Sequence, residues 1–469
     1  MNTIAIRSLL LFLVFTLAHI APAAAATYYV SPNGTATWAQ ATNINTPTDG
    51  RTAMLNAVAG DIVYFRGGTY KPSNNSVPNH VSASTVDKWK FPHWNPVNSG
   101  TPSNYITFAV YPGETATITH DTVSAPLGVN SKSYIIFDGF TGGTKVSAQA
   151  FIFLGDEDPP RDTTYCIVQN CYFANGFSTP DGGLNNSHIF TRYVQYCTIR
   201  NNYLANNICT TGNHNSAGII TRWTNDTIFE NNTFYNNTCG MYAKHIDANV
   251  TIRYNFFVNN INKDIRATYG SGYKIYQNVV VGSTNVAVET ESLPNLVTTG
   301  TEIYNNTFYV TNSSGLGLYN INEKQWNNIT VNATNCAYRS IYAAGLSDGQ
   351  PTYMDYNAYW NGQRFVVRIG TYTNLPAWQS SGALIGGGNP DTHSIYANPL
   401  FVNAGGTTPA DYKLQANSPC RNVGRNGVTM GAYINGNEVI GYIGSGISTT
   451  TTSIDTRPPD PPTGLRIIE

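Results

Sequence analysis

Between Asn202 and Asn306 the chain repeats one short phrase: an apolar residue, two residues, an asparagine, one residue, and a second apolar residue. It reads Ile199-Arg200-Asn201-Asn202-Tyr203-Leu204, Phe229-Glu230-Asn231-Asn232-Thr233-Phe234, Ile252-Arg253-Tyr254-Asn255-Phe256-Phe257, Ile275-Tyr276-Gln277-Asn278-Val279-Val280 and Ile303-Tyr304-Asn305-Asn306-Thr307-Phe308. The asparagines lie 30, 23, 23 and 28 residues apart. Outlying copies are expected at Ile167 to Asn170 and Met354 to Asn357, with a degenerate one at Asn328. A repeat of this length marks stacked units that cannot bury an apolar face alone. An asparagine recurring at one bend of each unit satisfies backbone groups there and pairs with its neighbours above and below. The ladder asparagines are therefore read as scaffold.

Tyr, Asn, Thr and Gly are abundant while charged residues are only 11%, which favours an all-β chain with many tight turns. A net charge of -1 gives no global bias toward nucleic acid or an anionic membrane, so any electrostatic recognition is local. Arg7, the apolar run Leu9 to Ala18 and the small residues Ala23 to Ala26 read as a secretory signal over 1–26. That run is too short to span a bilayer, so export, no membrane insertion and a monomer are expected. Residues 27–443 then form the solenoid with its caps, and the Gly/Ser/Thr-rich and Pro-rich stretch 444–469 a flexible tail. Seven cysteines in an exported chain leave both readings open, small core fillers or one or two bridges.

Tyr28-Tyr29-Val30-Ser31-Pro32-Asn33-Gly34 reads as strand and turn, and Thr52 to Val58 as a short helix leading into Gly60-Asp61-Ile62-Val63-Tyr64-Phe65-Arg66-Gly67-Gly68-Thr69-Tyr70. Together they resemble the N-terminal cap of the pectate-lyase superfamily. Ile106-Thr107-Phe108 with Tyr111-Pro112-Gly113-Glu114, and Tyr134 to Gly139, resemble its first coils. Asn398-Pro399-Leu400-Phe401, Asp411 to Leu414 and Asn417 to Cys420 resemble its last coils and C-terminal cap. The resemblance implies an all-β, right-handed parallel β-helix, a fold that hosts several chemistries. Two loops break the rhythm. Residues 71–102, with Trp89, Phe91, His93 and Trp94, either wall a groove or pack on the first coils. The acidic loop 155–162 offers oxygen ligands for calcium, but a solvated turn is the simpler reading.

With Ile189, Ile219, Met241, Ile265 and Val286 pointing inward, alternation turns Phe190, Ile220, Tyr242, Arg266 and Ala287 outward. Two positions on, Arg192, Arg222, Lys244, Thr268 and Glu289 share that face. Arg192, Arg222 and Lys244 thus stack as a basic column, with Arg266 diagonal to Lys244 and Asp264, His245, Trp223 and Glu291 beside it. Like charges on adjacent strands cost stability unless something uses or neutralises them. A groove for an acidic ligand answers that, as do ion pairs to Asp226, Asp247 or Asp264.

For a uronate-containing polysaccharide the chemistry is β-elimination: neutralise the carboxylate, remove the proton beside it, and expel the glycosidic oxygen. A lysine crowded by arginines has a lowered pKa and is neutral near operating pH. Lys244 is assigned the base role, Arg266 carboxylate neutralisation or leaving-oxygen protonation, and Arg192 and Arg222 substrate binding. Trp223, Tyr242, His245 and Glu289 complete the expected substrate site.

The stretch also resembles the chondroitinase B and alginate lyase family, through Ala243-Lys244-His245 with Asn249 and Asn255, then Ile265-Arg266-Ala267 with Gly270 and Asn278. That resemblance implies a catalytic lysine followed one coil later by a catalytic arginine. His245 stands where the family has Ser, and Ala267-Thr268 where it has His-Gly. Asn236 to Gly240 lacks the family's calcium-binding acids, so calcium is left open. Two other classes stay in view. A glycan-binding or surface-structural β-helix needs the ladder but no base. A glycoside hydrolase needs two carboxylates, which Asp247, Asp264, Glu289 and Glu291 could supply, yet polygalacturonase motifs are missing. So is the Asp-Pro-His-Asp signature of uronan epimerases.

Overall fold

The computed structural model describes residues 25–78, 92–122, 124–146, 150–155, 162–178, 185–210, 215–292, 298–311, 313–318, 322–340 and 351–444. The signal segment up to residue 24, the tail beyond 444 and most of the acidic loop lie outside the described residues.

Short strands of β-branched and aromatic residues stack into three long parallel sheets, beside a two-stranded one of Thr163–Thr164 and Val194–Gln195. The first has twelve strands, from Thr27–Val30 to Tyr353–Asp355; the second has twelve, from Gly68–Tyr70 to Ile395–Tyr396; the third has eleven. Each full coil visits the first, second and third sheet in turn. Only the closing pair, Phe365–Val367 with Gly370–Tyr372, is antiparallel among the described strands. Alternation sends every second side chain inward. Val168, Ile199, Phe229, Ile252, Ile275 and Ile303 line one wall, Leu204, Phe234, Phe257, Val280 and Phe308 another, all fully buried. Each such side chain contributes about 1.5–3 kcal/mol relative to an exposed one. Phe234 and Phe257 stack at 4.5 Å.

The asparagine ladder forms at the bend between the first and second sheets. Each amide nitrogen donates to the amide oxygen of the next coil: Asn202 to Asn232 at 2.9 Å, Asn232 to Asn255 at 3.1 Å, Asn255 to Asn278 at 3.0 Å, and Asn278 to Asn306 at 3.0 Å. The row continues through Asn328 to Asn357. The residue before each rung adopts positive φ, between 49° at Asn201 and 56° at Asn327 and Tyr356, which lets the amide turn inward. The copy at Asn170 is corrected by this geometry. Asn170 has φ 58° and occupies the preceding position, while Cys171 takes the rung and donates its N–H to Asn202 Oδ1 at 3.0 Å.

A second, shorter amide row runs through Asn207, Asn237 and Asn260. Lys145 Nζ donates to Asn207 Oδ1 at 3.0 Å at one end, and Asn260 donates to Asp264 Oδ1 at 2.9 Å at the other. Asn207 reaches Asn237 through its backbone N–H, its own amide donating to Ala217 O at 3.1 Å, while the Asn237 amide donates to Asn260 Oδ1 at 3.3 Å. Both end groups are fully buried. Burial holds the Lys145 ammonium well below its ordinary pKa and pushes the Asp264 carboxyl up to about 7.

Helices close both ends. α1 (Gly50–Asn56) starts two residues before the expected helix, because Asp49 caps it by accepting the Thr52 N–H at 3.0 Å. α2 (Leu375–Gln379), with Asn374 as its cap, was not anticipated; it lays Trp378 flat on Phe365 at 5.1 Å. Beyond the segments that resemble a C-terminal cap, the chain continues as a strap along the flank. It runs back over the second sheet, from Gly431 N–H on Asn327 O at 2.7 Å to Ile443 N–H on Asn201 Oδ1 at 2.9 Å. Met430, Ala432, Tyr433 and Ile440 cover the outer faces of Phe256, Val279 and Ile329. In the loop 71–102, His93 and Trp94 pack on the first coils, Trp94 inside the core and His93 bonded to Ser76 and Thr122 at 2.7 Å each. None of the seven cysteines is in a disulfide, and all but Cys209 are buried. No described helix is long and apolar enough to cross a membrane.

Candidate functional site

The strands of the third sheet, with the one or two residues that follow them, carry every side chain expected at the site. Its strands Ile189–Arg192, Ala217–Arg222, Cys239–Ala243, Lys263–Thr268 and Val286–Glu291 lie side by side. Arg192 pairs in register with Arg222, and the Lys244 N–H bonds to Thr221 O at 3.0 Å, so the basic column forms. Arg266 pairs with Tyr242 one coil on. The last coil differs from the expected alignment. Val288, not Val286, sits beside Ile265; Glu289 therefore lies next to Arg266, and Glu291 next to Thr268. Ala287 turns into the core. Alternation breaks at Ala287-Val288, both of which enter the core while Val286 stays half-buried, so the periodic pattern could not reveal the register.

Phe190, Ile220 and Tyr242 do point outward, but they are buried in a separate apolar cluster with Phe153, Ala217 and Cys239. The charged column therefore borders a dry floor. Arg222 stacks over Trp223 at 4.6 Å and Arg192 over the same ring at 5.4 Å; Arg266 sits 4.5 Å from Tyr242 and Lys244 Nζ 5.2 Å from it. The Nε atoms of Arg192 and Arg222 are buried without a hydrogen-bond partner. Among the described residues, no carboxylate lies within ion-pair distance of Arg192, Arg222 or Lys244.

The acids considered as neutralisers are engaged elsewhere. Asp226 accepts from Gln195 at 2.9 Å and Asn249 at 3.0 Å. Asp247 accepts from Thr221 Oγ1 and from the Thr224 N–H at 2.8 Å. Asp264 does not flank the column, because it points into the core. Arg266 alone of the four bases is paired, with Glu291 at 2.6 Å and Glu289 at 3.4 Å, and Lys263 holds Glu289 at 2.5 Å.

Lys244 Nζ donates to Asn185 Oδ1 at 3.0 Å and Asn215 Oδ1 at 3.2 Å, from the segments leading into two neighbouring strands. Burial, then Arg222 and Arg266, lower its pKa to about 8 against the pull of Glu291. Burial, then Arg222 and Lys244, bring His245 down to about 4, so its ring is neutral. Burial and Arg192 also lower Arg222. A polarised column of this kind can hold an anion and present an unprotonated amine beside it.

Two groups were missed. Asn185 and Asn215 belong to irregular segments and carry no periodic signal. Tyr193 and Tyr269 join Trp223 and His245 in an aromatic column, with Tyr193–Trp223 at 4.7 Å, Trp223–His245 at 5.9 Å and His245–Tyr269 at 5.6 Å. Each follows an outward residue at the end of its strand, which is a signal the sequence does contain. Among the described residues, no group of three or more His, Cys, Asp or Glu side chains is gathered as a metal site.

Residues 146–308 match a family model described as right handed beta helix region. The crystal structure of pectate lyase Pel9A superposes with a TM-score of 0.53 at 15% identity, covering 87% of this chain and 96% of that one. The chain is a right-handed parallel β-helix. A PL6 family polysaccharide lyase, Pedsa3628 from Pseudopedobacter saltans, gives a TM-score of 0.46 at 13% identity over 79% of this chain and 95% of that one. PfbA, a surface adhesin of Streptococcus pneumoniae, gives 0.38 at 13% over 70% and 75%. No curated protein matches the chain. At such identities the β-helix shows its architecture alone, and its chemistry has to be argued from its own side chains.

Proposed function

We propose that this β-helix is a secreted polysaccharide lyase that cleaves a uronate-containing glycan by β-elimination on its third sheet. The observation that carries the reading is Lys244: an amine with a pKa of about 8, between Arg222, which has no carboxylate partner, and Arg266. Neutral Lys244 has two N–H bonds and one lone pair. Asn185 and Asn215 take the N–H bonds, which leaves the lone pair for a substrate proton. Arg222, with Arg192 behind it, neutralises the uronate carboxylate and so acidifies the adjacent C–H. Lys244 takes that proton, the C–H electron pair forms the new double bond, the C–O bond to the glycosidic oxygen breaks, that oxygen takes up a proton from water, and Lys244 gives its own back to solvent. Arg266, steadied by Glu291, is left to hydrogen-bond the departing oxygen rather than to neutralise a carboxylate. The aromatic column of Tyr193, Trp223 and His245 supplies ring faces for the sugars.

A glycan-binding protein without catalysis is the second reading, favoured by the ion pairs that hold Arg266. One assay separates them. The protein is incubated with pectate, alginate and glycosaminoglycans while the ultraviolet absorbance of the new double bond is followed. Rising absorbance that is lost in Lys244→Ala is expected. Reducing ends without absorbance would mean hydrolysis, and retention on a polysaccharide column without either would mean binding alone.

A further inference from the structure

Positive charge stands unanswered where Arg192 and Arg222 pair in register on adjacent coils. Neither guanidinium has a carboxylate within ion-pair distance among the described residues, and both Nε atoms are buried without a partner. Both lean on the Trp223 ring, Arg222 at 4.6 Å and Arg192 at 5.4 Å. Their strands run about 4.8 Å apart, and like charges so placed repel unless a counter-ion answers them. A dianion of sulfate size cancels both charges at once, and its oxygens match the forked N–H groups of two guanidiniums.

Lys244 follows on the next coil, and its charge depends on what those arginines hold. The strand before it brings Arg222 close, and the strand after it brings Lys263 and Arg266. Glu289 and Glu291, one coil further, are paired to those two, and Tyr269 faces Glu291. Its own strand supplies Tyr242, followed by the neutral His245. Asn185 and Asn215 are uncharged and accept from the amine in either state. Burial, then Arg222 and Arg266, set its pKa at about 8; an anion on Arg222 cancels part of that repulsion and favours the ammonium. We infer that Arg192 and Arg222 form a site for a small dianionic oxyanion of the sulfate class, and that its binding is coupled to uptake of a proton by Lys244. Only the consequence rests on the lyase reading: such an anion competes with the uronate carboxylate and also holds the base protonated. Because the bound form keeps the proton more tightly, affinity is full below about pH 8 and falls as pH rises past it.

The test is calorimetric titration of the intact protein with sodium sulfate, at constant ionic strength made up with chloride, in two buffers of different protonation enthalpy. At about pH 8.5 the heats should report uptake of about half a proton per sulfate, and the dissociation constant should rise about tenfold between about pH 7 and about pH 10. A folded Lys244→Gln variant should bind sulfate with no proton uptake and no such fall in affinity. A folded Arg222→Gln variant should bind it at least about tenfold more weakly. No saturable binding of sulfate, binding without proton uptake, or unchanged affinity in Arg222→Gln overturns the inference. Coupled sulfate binding by a protein that cleaves no polyuronate would instead overturn the lyase reading and leave the oxyanion site standing.

Discussion

Lys244 differs from an ordinary surface lysine because burial and two arginines act on it together. Its ammonium is favoured below pH 8 and its amine above. A base must be unprotonated, so the rate is expected to rise with pH, with an apparent pKa of about 8, and then level off. Arg222 lowers that pKa, so Arg222→Gln should move the rising limb to higher pH as well as weaken binding; a pH–rate profile of both proteins checks this. Asp264 makes a different pH prediction. Burial raises its carboxyl from 3.8 to about 7, against hydrogen bonds from Asn260 and Ser283. Between those values the folded state keeps a proton that the unfolded chain has released. Stability contributed by Asp264 is therefore full below about pH 4 and lost as pH rises through 7. Asp264→Asn should flatten that fall and be the more stable protein at pH 8, by up to about 4 kcal/mol in denaturant titrations.

Among the repeated elements, the ladder is where sequence and structure meet most directly. Asn202 to Asn306 specified the stacking because one residue type at one bend has one physical use there. Asn255 accepts both the backbone N–H of Asn232 at 2.9 Å and its amide at 3.1 Å, deep in the core. Asn255→Ala would strand both donors, and an expected loss of about 2–4 kcal/mol can be read from the urea midpoint. The basic column was legible for a related reason: inward residues fix outward ones by alternation, so Ile219 and Met241 located Arg222 and Lys244. Glu289 was set two residues out because alternation breaks at Ala287-Val288, where two successive side chains enter the core. The Asn185 and Asn215 contacts could not be read, since they arise where irregular chain folds over a strand. The same holds for the turn of Asp264 into the core, which follows from a local break in alternation at Asp264-Ile265, both of them buried.

Over the whole molecule, the strap is the element that the sequence did not announce. Residues such as Met430 and Tyr433 have no period to betray them, and their role is set by the outer face of the second sheet that they cover. A chain ending at 427 should leave Phe256, Val279 and Ile329 uncovered, with a lower melting temperature and binding of an apolar dye, while turnover at low temperature is kept because the third sheet is built separately. Two helical caps, a strap and two amide rows thus hold a stack whose third sheet is free to carry charge. The mass of the oligosaccharides released from a uronate-containing polymer tests that assignment most directly. The account predicts products one water lighter than hydrolysis would give, formed by the native protein and not by a folded Lys244→Ala variant that still binds the polymer. Products carrying the added water, or full release by Lys244→Ala, would contradict it.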